Sequence, residues 1–256
     1  MAEGFGLRTM IKAACRWWGE NQARLGFWST LRKLASEIWD FLLETTPERR
    51  RRRYGDAEYD WDFHVNTTSA TVGWRDRLLA IFHSPYQPTE PALFREMMDH
   101  LKIDFSQFTF VDLGSGKGRT LLMASDYPFR RIVGVELFPD LHRAALENLQ
   151  TYRSESQKRS HIEAICADAC DYEFPLAPTV LYLFNPLPES GLKKVISKLE
   201  QSLCNHPRPV YVVYHNPLLE HVLLRSPVLK KSGGTHQYSI FSRRLNAAIS
   251  KLTPCF

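Results

Sequence analysis

The residues whose types and spacing suggest chemistry lie between positions 108 and 216. Phe108, Phe110, Val111 and Leu113 form an apolar, β-rich run with Asp112 inside it. Gly114, Gly116 and Gly118 follow at every second position. Lacking a Cβ, they let the chain turn sharply and approach a ligand closely. Arg119 to Ser125 has helical composition, so the turn aims backbone N–H groups at whatever binds there. Arg131 to Glu136 is a second buried run, and its terminal acid stands 24 positions after Asp112. A carboxylate at that place can accept both hydroxyls of a ribose. Cys166-Ala167-Asp168 ends a third run, again with an acid. Asn185 and His215 close a fourth and a fifth.

Two nucleotide-binding patterns fail on spacing. A dinucleotide fingerprint needs its third glycine five positions after the first, and Arg119 stands there. A P-loop needs Gly-Lys followed by Ser or Thr, and Gly118 follows Lys117. The pattern that remains, Asp112-x-Gly114-Ser115-Gly116-x-Gly118 after a strand, resembles the first motif of class I, Rossmann-like methyltransferases dependent on S-adenosylmethionine (SAM). The resemblance covers about residues 106 to 243 and carries Asp112, Glu136 and Asp168 in order. It implies a SAM site made of Asp112, Gly114, Ser115, Gly116, Gly118, Glu136 and Asp168, with Asp168 toward the adenine amino group. Tyr86-x-Pro88-Thr89 resembles, more weakly, the entry segment of small protein-lysine methyltransferases of archaeal and mitochondrial type. There this segment closes over the methionine end of SAM, which adds Tyr86 and Thr89 to the cofactor residues. The bland alternative for the pair is a turn and a helix cap at Thr89.

The elements that must position these residues alternate. Strands are predicted at 108–113, 131–136, 161–166, 178–184 and 209–214, and helices at 117–127, 139–152, 189–203 and near 217–224. Such alternation gives a doubly wound, mostly parallel sheet. Val228–Lys231 and Gln237–Ser242 flank Gly233-Gly234 and read as a hairpin. The resemblance implies that this hairpin ends a seven-stranded sheet. Residues 106–256 are then the SAM-binding domain, 54–105 a cap and entry segment, and 1–53 a basic, Trp-rich helical extension.

Charge is unevenly spread. Residues 1–53 hold 11 Lys and Arg against 6 Asp and Glu, which is the whole formal excess of +5. The remainder is neutral, which weakens any reading of a broad nucleic-acid surface on the catalytic domain. Two amphipathic stripes, Met10–Trp18 and Trp28–Leu43, break near Gly26. They read as a helical hairpin packed on the core, the alternative being peripheral contact with a membrane surface or a partner. Arg49–Arg53 reads as a solvated linker, the alternative being contact with phosphates or acidic lipid headgroups. Asp56, Glu58, Asp60 and Asp62 interleave with Tyr59 and Trp61. They either attract a cationic substrate or neutralise the nearby arginines. The five cysteines form no metal pattern and read as buried thiols in a reducing compartment. No metal is expected. No apolar run spans a membrane and no signal-peptide core precedes the helices, so a cytoplasmic location is expected.

Methyl transfer from a sulfonium needs alignment and a deprotonated nucleophile more than it needs acid–base machinery. The catalytic candidates are therefore Asn185 and His215, beyond the strand ends where open α/β sheets bind ligands. Asn185-Pro186 resembles the Asn-Pro-Pro-aromatic motif of amino-group methyltransferases. Leu187 and Pro188 depart from that motif, which counts against stacking of a flipped base. Asn185 either holds an amine or simply ends a strand, and His215 either takes a proton or bonds a loop carbonyl. The reading is a SAM-dependent enzyme methylating nitrogen, with protein lysine favoured. A nucleic-acid methyltransferase, a small-molecule methyltransferase and a SAM-binding interaction module are the alternatives.

Overall fold

The computed structural model describes residues 15, 18–19, 21–44, 57–68, 88–158 and 161–244. Tyr86 and the run Arg49–Arg53 lie outside them.

Seven strands form one sheet among the described residues: β1 (Thr109–Leu113), β2 (Arg131–Glu136), β3 (His161–Cys166), β4 (Thr179–Leu183), β5 (Val210–His215), β6 (Leu229–Gly234) and β7 (Tyr238–Arg243). Their order is β3-β2-β1-β4-β5-β7-β6. β1 to β5 pair in parallel, while β7 runs antiparallel to both β5 and β6. This is the doubly wound sheet with a terminal hairpin expected above. The order reverses between β1 and β4, so the carboxyl ends of these strands open the crevice where ligands of such sheets bind.

Helices α1 (Phe27–Glu44), α2 (Ala57–Phe63), α3 (Pro91–Leu101), α4 (Arg119–Ala124), α5 (Pro139–Thr151), α6 (Glu189–Asn205) and α7 (Glu220–Leu224) accompany the sheet. Side chains alternate across each strand. Val111, Leu113, Leu181, Leu183 and Val212 point to one face, where Leu192, Val195, Leu199 of α6 and Leu223 of α7 cover them. Phe110, Ile132, Val180, Tyr182 and Val213 point to the other, where α3 contributes Phe94, Met97 and Met98 and α4 contributes Leu121.

Four local expectations change. Thr89 does not cap α3: Glu90 is the N-cap, Pro91 opens the helix, and the Thr89 hydroxyl turns inward to a buried tyrosine. Gly233 and Gly234 do not form the hairpin turn but lie inside β6, and Thr235 N–H closes the turn on Tyr238 O at 2.8 Å. Gly233 is small for another reason: a Cβ there would stand 2.6 Å from His100 Nε2. Cys15 and Cys204 are exposed, whereas Cys170 is buried and Cys166 half-buried. Finally, the α1 stripe is open where its side chains are described. The chain breaks at Gly26 as expected, with φ at 78°, but Trp28 is 73% exposed and Phe27 and Leu31 also face solvent. Among the described residues, no helix is long and apolar enough to cross a membrane.

Candidate active site at the strand ends

The glycine turn adopts left-handed backbone at each glycine, with φ of 90° at Gly114, 55° at Gly116 and 82° at Gly118. Two neighbours add a steric reason. A Cβ on Gly114 would overlap the Cβ of Pro186, and one on Gly118 would approach Ala145 Cβ at 3.2 Å. The turn is thus pressed between the Asn185-Pro186 segment and α5. Gly114 and Ser115 N–H both donate to Val135 O, at 2.8 and 3.1 Å, which ties the turn to β2.

Asp112 and Glu136 come together beneath the turn. Asp112 is buried and accepts a hydrogen bond from the Thr120 hydroxyl on α4. Burial pushes its carboxyl up to about 7; the Thr120 bond opposes this, and the charge of Glu136 adds to it. Glu136 accepts from the Gly116 N–H at 2.7 Å through one oxygen and from the Phe138 N–H at 2.8 Å through the other. Asp168 stands two residues beyond β3, half-buried, where Oδ1 accepts from Cys170 N–H at 2.8 Å. Ser115 is buried, and its Oγ has no hydrogen-bond partner among the described residues.

On the other side of the crevice three residues form a chain. Thr89 Oγ1 lies 2.7 Å from Tyr182 Oη, and Tyr182 Oη lies 2.8 Å from His215 Nδ1. The His215 ring stacks on Phe184, with centroids 3.8 Å apart. Burial holds His215 down at about 4, so the imidazole is neutral at neutral pH. Burial also holds Tyr182 well above its ordinary range. Tyr182 pairs in register with Asp112, so the two side chains share a face of the sheet. That parity joins the acid side of the crevice to the His215 side.

Asn185 sits at the crevice floor in left-handed backbone, φ 45°, and both ends of its amide are engaged. Tyr214 Oη donates to its Oδ1 at 2.8 Å, and its Nδ2 donates to the Asn216 carbonyl. Asn216 is also left-handed, φ 47°. The pair therefore locks the ends of β4 and β5 to each other.

Sequence reasoning missed several of these groups. Tyr182 and Tyr214 lie near the ends of expected strands but were given no role, because the register that sets Tyr182 beside Asp112 shows only in the sheet. Gly134 was passed over inside β2, yet a Cβ there would meet Leu121 Cδ1 at 2.5 Å and Ser115 Oγ at 2.8 Å. An isolated glycine in a strand marks such a close approach.

No family model matches the chain. A protein-lysine N-methyltransferase of Saccharolobus islandicus (strain REY15A) is 28% identical over 153 residues, which span 51% of this chain and 94% of that protein. Among solved structures, a precorrin-6y C5,15-methyltransferase from Geobacter metallireducens aligns with a TM-score of 0.45 and 15% identity, over 63% of this chain and 93% of that one. An RNA methyltransferase from Salinibacter ruber, crystallised with S-adenosylhomocysteine, aligns with a TM-score of 0.42 and 22% identity, over 61% and 92%. The strand order and the glycine turn are thus those of a Rossmann-like fold, and the chain is similar over half its length to a methyltransferase.

Proposed function

We propose that the enzyme methylates nitrogen on a protein substrate, with a lysine ε-amine as the acceptor. In this reading SAM is held by Asp112, Gly114, Ser115, Gly116, Gly118, Glu136 and Asp168, and Thr89 and Tyr86 line its methionine end. The residues present suit that cofactor. The unpartnered Ser115 hydroxyl and the mutually repelling Asp112 and Glu136 carboxylates favour a cationic, hydroxyl-bearing ligand. When bound, SAM supplies a methyl group already activated on a sulfonium.

The observation that carries the acceptor reading is the neutral chain Thr89–Tyr182–His215 at the strand ends. An amine attacks only as the free base, so its site needs acceptors for the N–H groups that remain. If Nδ1–H donates to Tyr182 and Tyr182 donates to Thr89, Nε2 is left as an acceptor facing the crevice end of β5. His215 then orients the neutral amine by accepting one of its N–H groups. Asn185 Oδ1 receives one hydrogen bond from Tyr214 and retains a second lone pair for an amine N–H. The lysine choice is supported by the Saccharolobus islandicus relative, whose name gives protein lysine as its acceptor. Leu187 and Pro188 in place of Pro and an aromatic argue against a flipped base.

Calorimetric titration of the full-length protein with SAM tests the cofactor half: wild type binds, and folded Gly116→Arg does not. Acid hydrolysis of labelled product tests the acceptor half. Methylated lysine is expected, whereas a methylated nucleoside would contradict the reading.

A further inference from the structure

Arg119 opens α4, yet its guanidinium is only 2% exposed. A cation in the first turn of a helix is disfavoured by the unsatisfied N–H groups there, and a buried guanidinium is costly unless it is paired. Its partners come from far upstream. Nε donates to Thr67 Oγ1 at 2.6 Å, and Nη2 donates to Thr68 Oγ1 at 2.7 Å and to Asp60 Oδ1 at 3.2 Å. The guanidinium also lies 4.8 Å from the centroid of Tyr59. Asp60 is organised to receive it, because its carboxylate accepts the Thr67 hydroxyl and the N–H groups of Thr67 and Thr68, the latter at 2.8 and 2.6 Å. Burial by itself would raise the Asp60 pKa; the bonds from Thr67 and Thr68 outweigh it and hold the carboxyl below its ordinary value. Asp60 is therefore committed to Arg119, which overturns the expectation that it faces a cationic substrate or the 49–53 arginines.

A second set of bonds meets the same turn one residue pair earlier. Asn66 N–H donates to Asn148 Oδ1 at 2.8 Å, and Asn148 Nδ2 donates to Asn66 O at 3.1 Å and to Lys117 O at 3.0 Å. Lys117 Nζ donates to Asn66 Oδ1 at 3.0 Å. Lys117 is buried as well. The segment itself is seated by Tyr59 and Phe63, whose rings pack on each other and, through Phe63, on Tyr152 at 5.2 Å.

The alternation Ser115, Lys117, Arg119 among Gly114, Gly116, Gly118 now has a physical meaning. Glu136 holds the turn from the sheet side through Gly116 N–H, while Asp60, Asn66, Thr67 and Thr68 hold it from the opposite side through Arg119 and Lys117. We propose that residues 57–68 are a latch on the cofactor turn, in which Asp60 and Asn66 are positioning residues for SAM binding that act through Arg119 and Lys117. This rests on the reading that the glycine turn holds SAM.

The test uses full-length protein and S-adenosylhomocysteine as the titrant. Asp60→Asn removes one acceptor from a buried charged network, a loss worth about tenfold or more in affinity if the turn depends on it. Thr68→Val removes the hydroxyl that Arg119 Nη2 bonds, Asn66→Ala removes the amide oxygen that Lys117 Nζ bonds, and each should weaken binding about threefold to tenfold. In the unliganded variants, deuterium uptake at residues 114–120 should quicken. Unchanged affinity in folded variants, with only the melting temperature lowered, would overturn the latch and leave the cofactor reading intact. No binding by wild type would overturn the cofactor reading and the latch with it. If Asp60→Asn does not fold, Thr68→Val and Asn66→Ala decide.

Discussion

The Gly116 N–H donates to Glu136 Oε2 over 2.7 Å, so the acid that ends β2 fixes the turn that follows β1. One carboxylate thereby shapes the loop and, in the proposed site, meets the ribose. Glu136→Gln replaces one of two charged acceptors by an amide that must present N–H to an N–H. Such a loss costs about 1–3 kcal/mol. For a chain of this size that is a fall in melting temperature of roughly 2–4 °C per kcal/mol. S-adenosylhomocysteine affinity should fall at least about tenfold, read by calorimetry. A variant that melts lower but binds as well as wild type would place the ribose elsewhere.

Gly114 and Gly134 are constrained by neighbours as well as by backbone. Gly114→Ala forces a Cβ into Pro186 at a φ of 90°, and Gly134→Ala forces one into Leu121 and Ser115. Overpacking of this kind costs about 1–3 kcal/mol. Both variants should melt lower than wild type, and Gly114→Ala should also weaken cofactor binding, because it displaces the turn itself. Equal melting temperatures would mean that Pro186 and Leu121 yield freely.

Much of this frame was legible in the chain. β1 to β5 and β7 were readable to within about a residue because each is a short apolar β-rich run, whereas β6 runs three residues past the expected Lys231, through the polar Ser232-Gly233-Gly234. Glu136 was readable because it ends one of those apolar runs, and Asp112 because it is the one acid inside the run that leads into the glycine turn. The latch was not. Asp60 and Arg119 are 59 residues apart, and a charged residue in sequence looks like solvated surface until the fold buries it. Thr89 was misread for a related reason: a threonine before Glu-Pro has the composition of a cap, and only the approach of Tyr182 turns its hydroxyl inward. Asn185 gave its position away through Asn-Pro, but not the tyrosine that occupies its carbonyl.

Two buried groups set opposing pH slopes. Folded His215 titrates at about 4 against an ordinary 6.5, so the unfolded chain binds the proton in between. Its contribution is complete above pH 6.5 and is lost as pH falls toward 4. Folded Asp112 titrates at about 7 against 3.8, so here the folded chain binds the proton, and stability falls as pH rises through that window. Between about pH 4 and 6.5 the two slopes offset each other in wild type. His215→Gln should leave stability falling with rising pH, and Asp112→Asn should leave it rising, each by up to roughly 1.4 kcal/mol per pH unit. Urea unfolding at four pH values reads both, and parallel curves for the three proteins would refute the assignment.

Tyr182→Phe deletes the hydroxyl that joins Thr89 to His215 and leaves both partners buried. Cofactor binding should stay within about threefold of wild type, since the turn is untouched. Methyl incorporation should fall by about tenfold or more, the size expected for a lost proton-handling or orienting group. Equal losses in binding and turnover would assign Tyr182 to the cofactor side alone.

The deciding measurement is incubation of the purified protein and isotope-labelled SAM with an extract of its own host lacking this gene, followed by separate protease and nuclease digestion and a small-molecule filter. Protein N-methylation requires label that protease releases, that nuclease leaves intact, and that mass analysis places on a lysine side chain. Label removed by nuclease, or label that passes the filter, would contradict it.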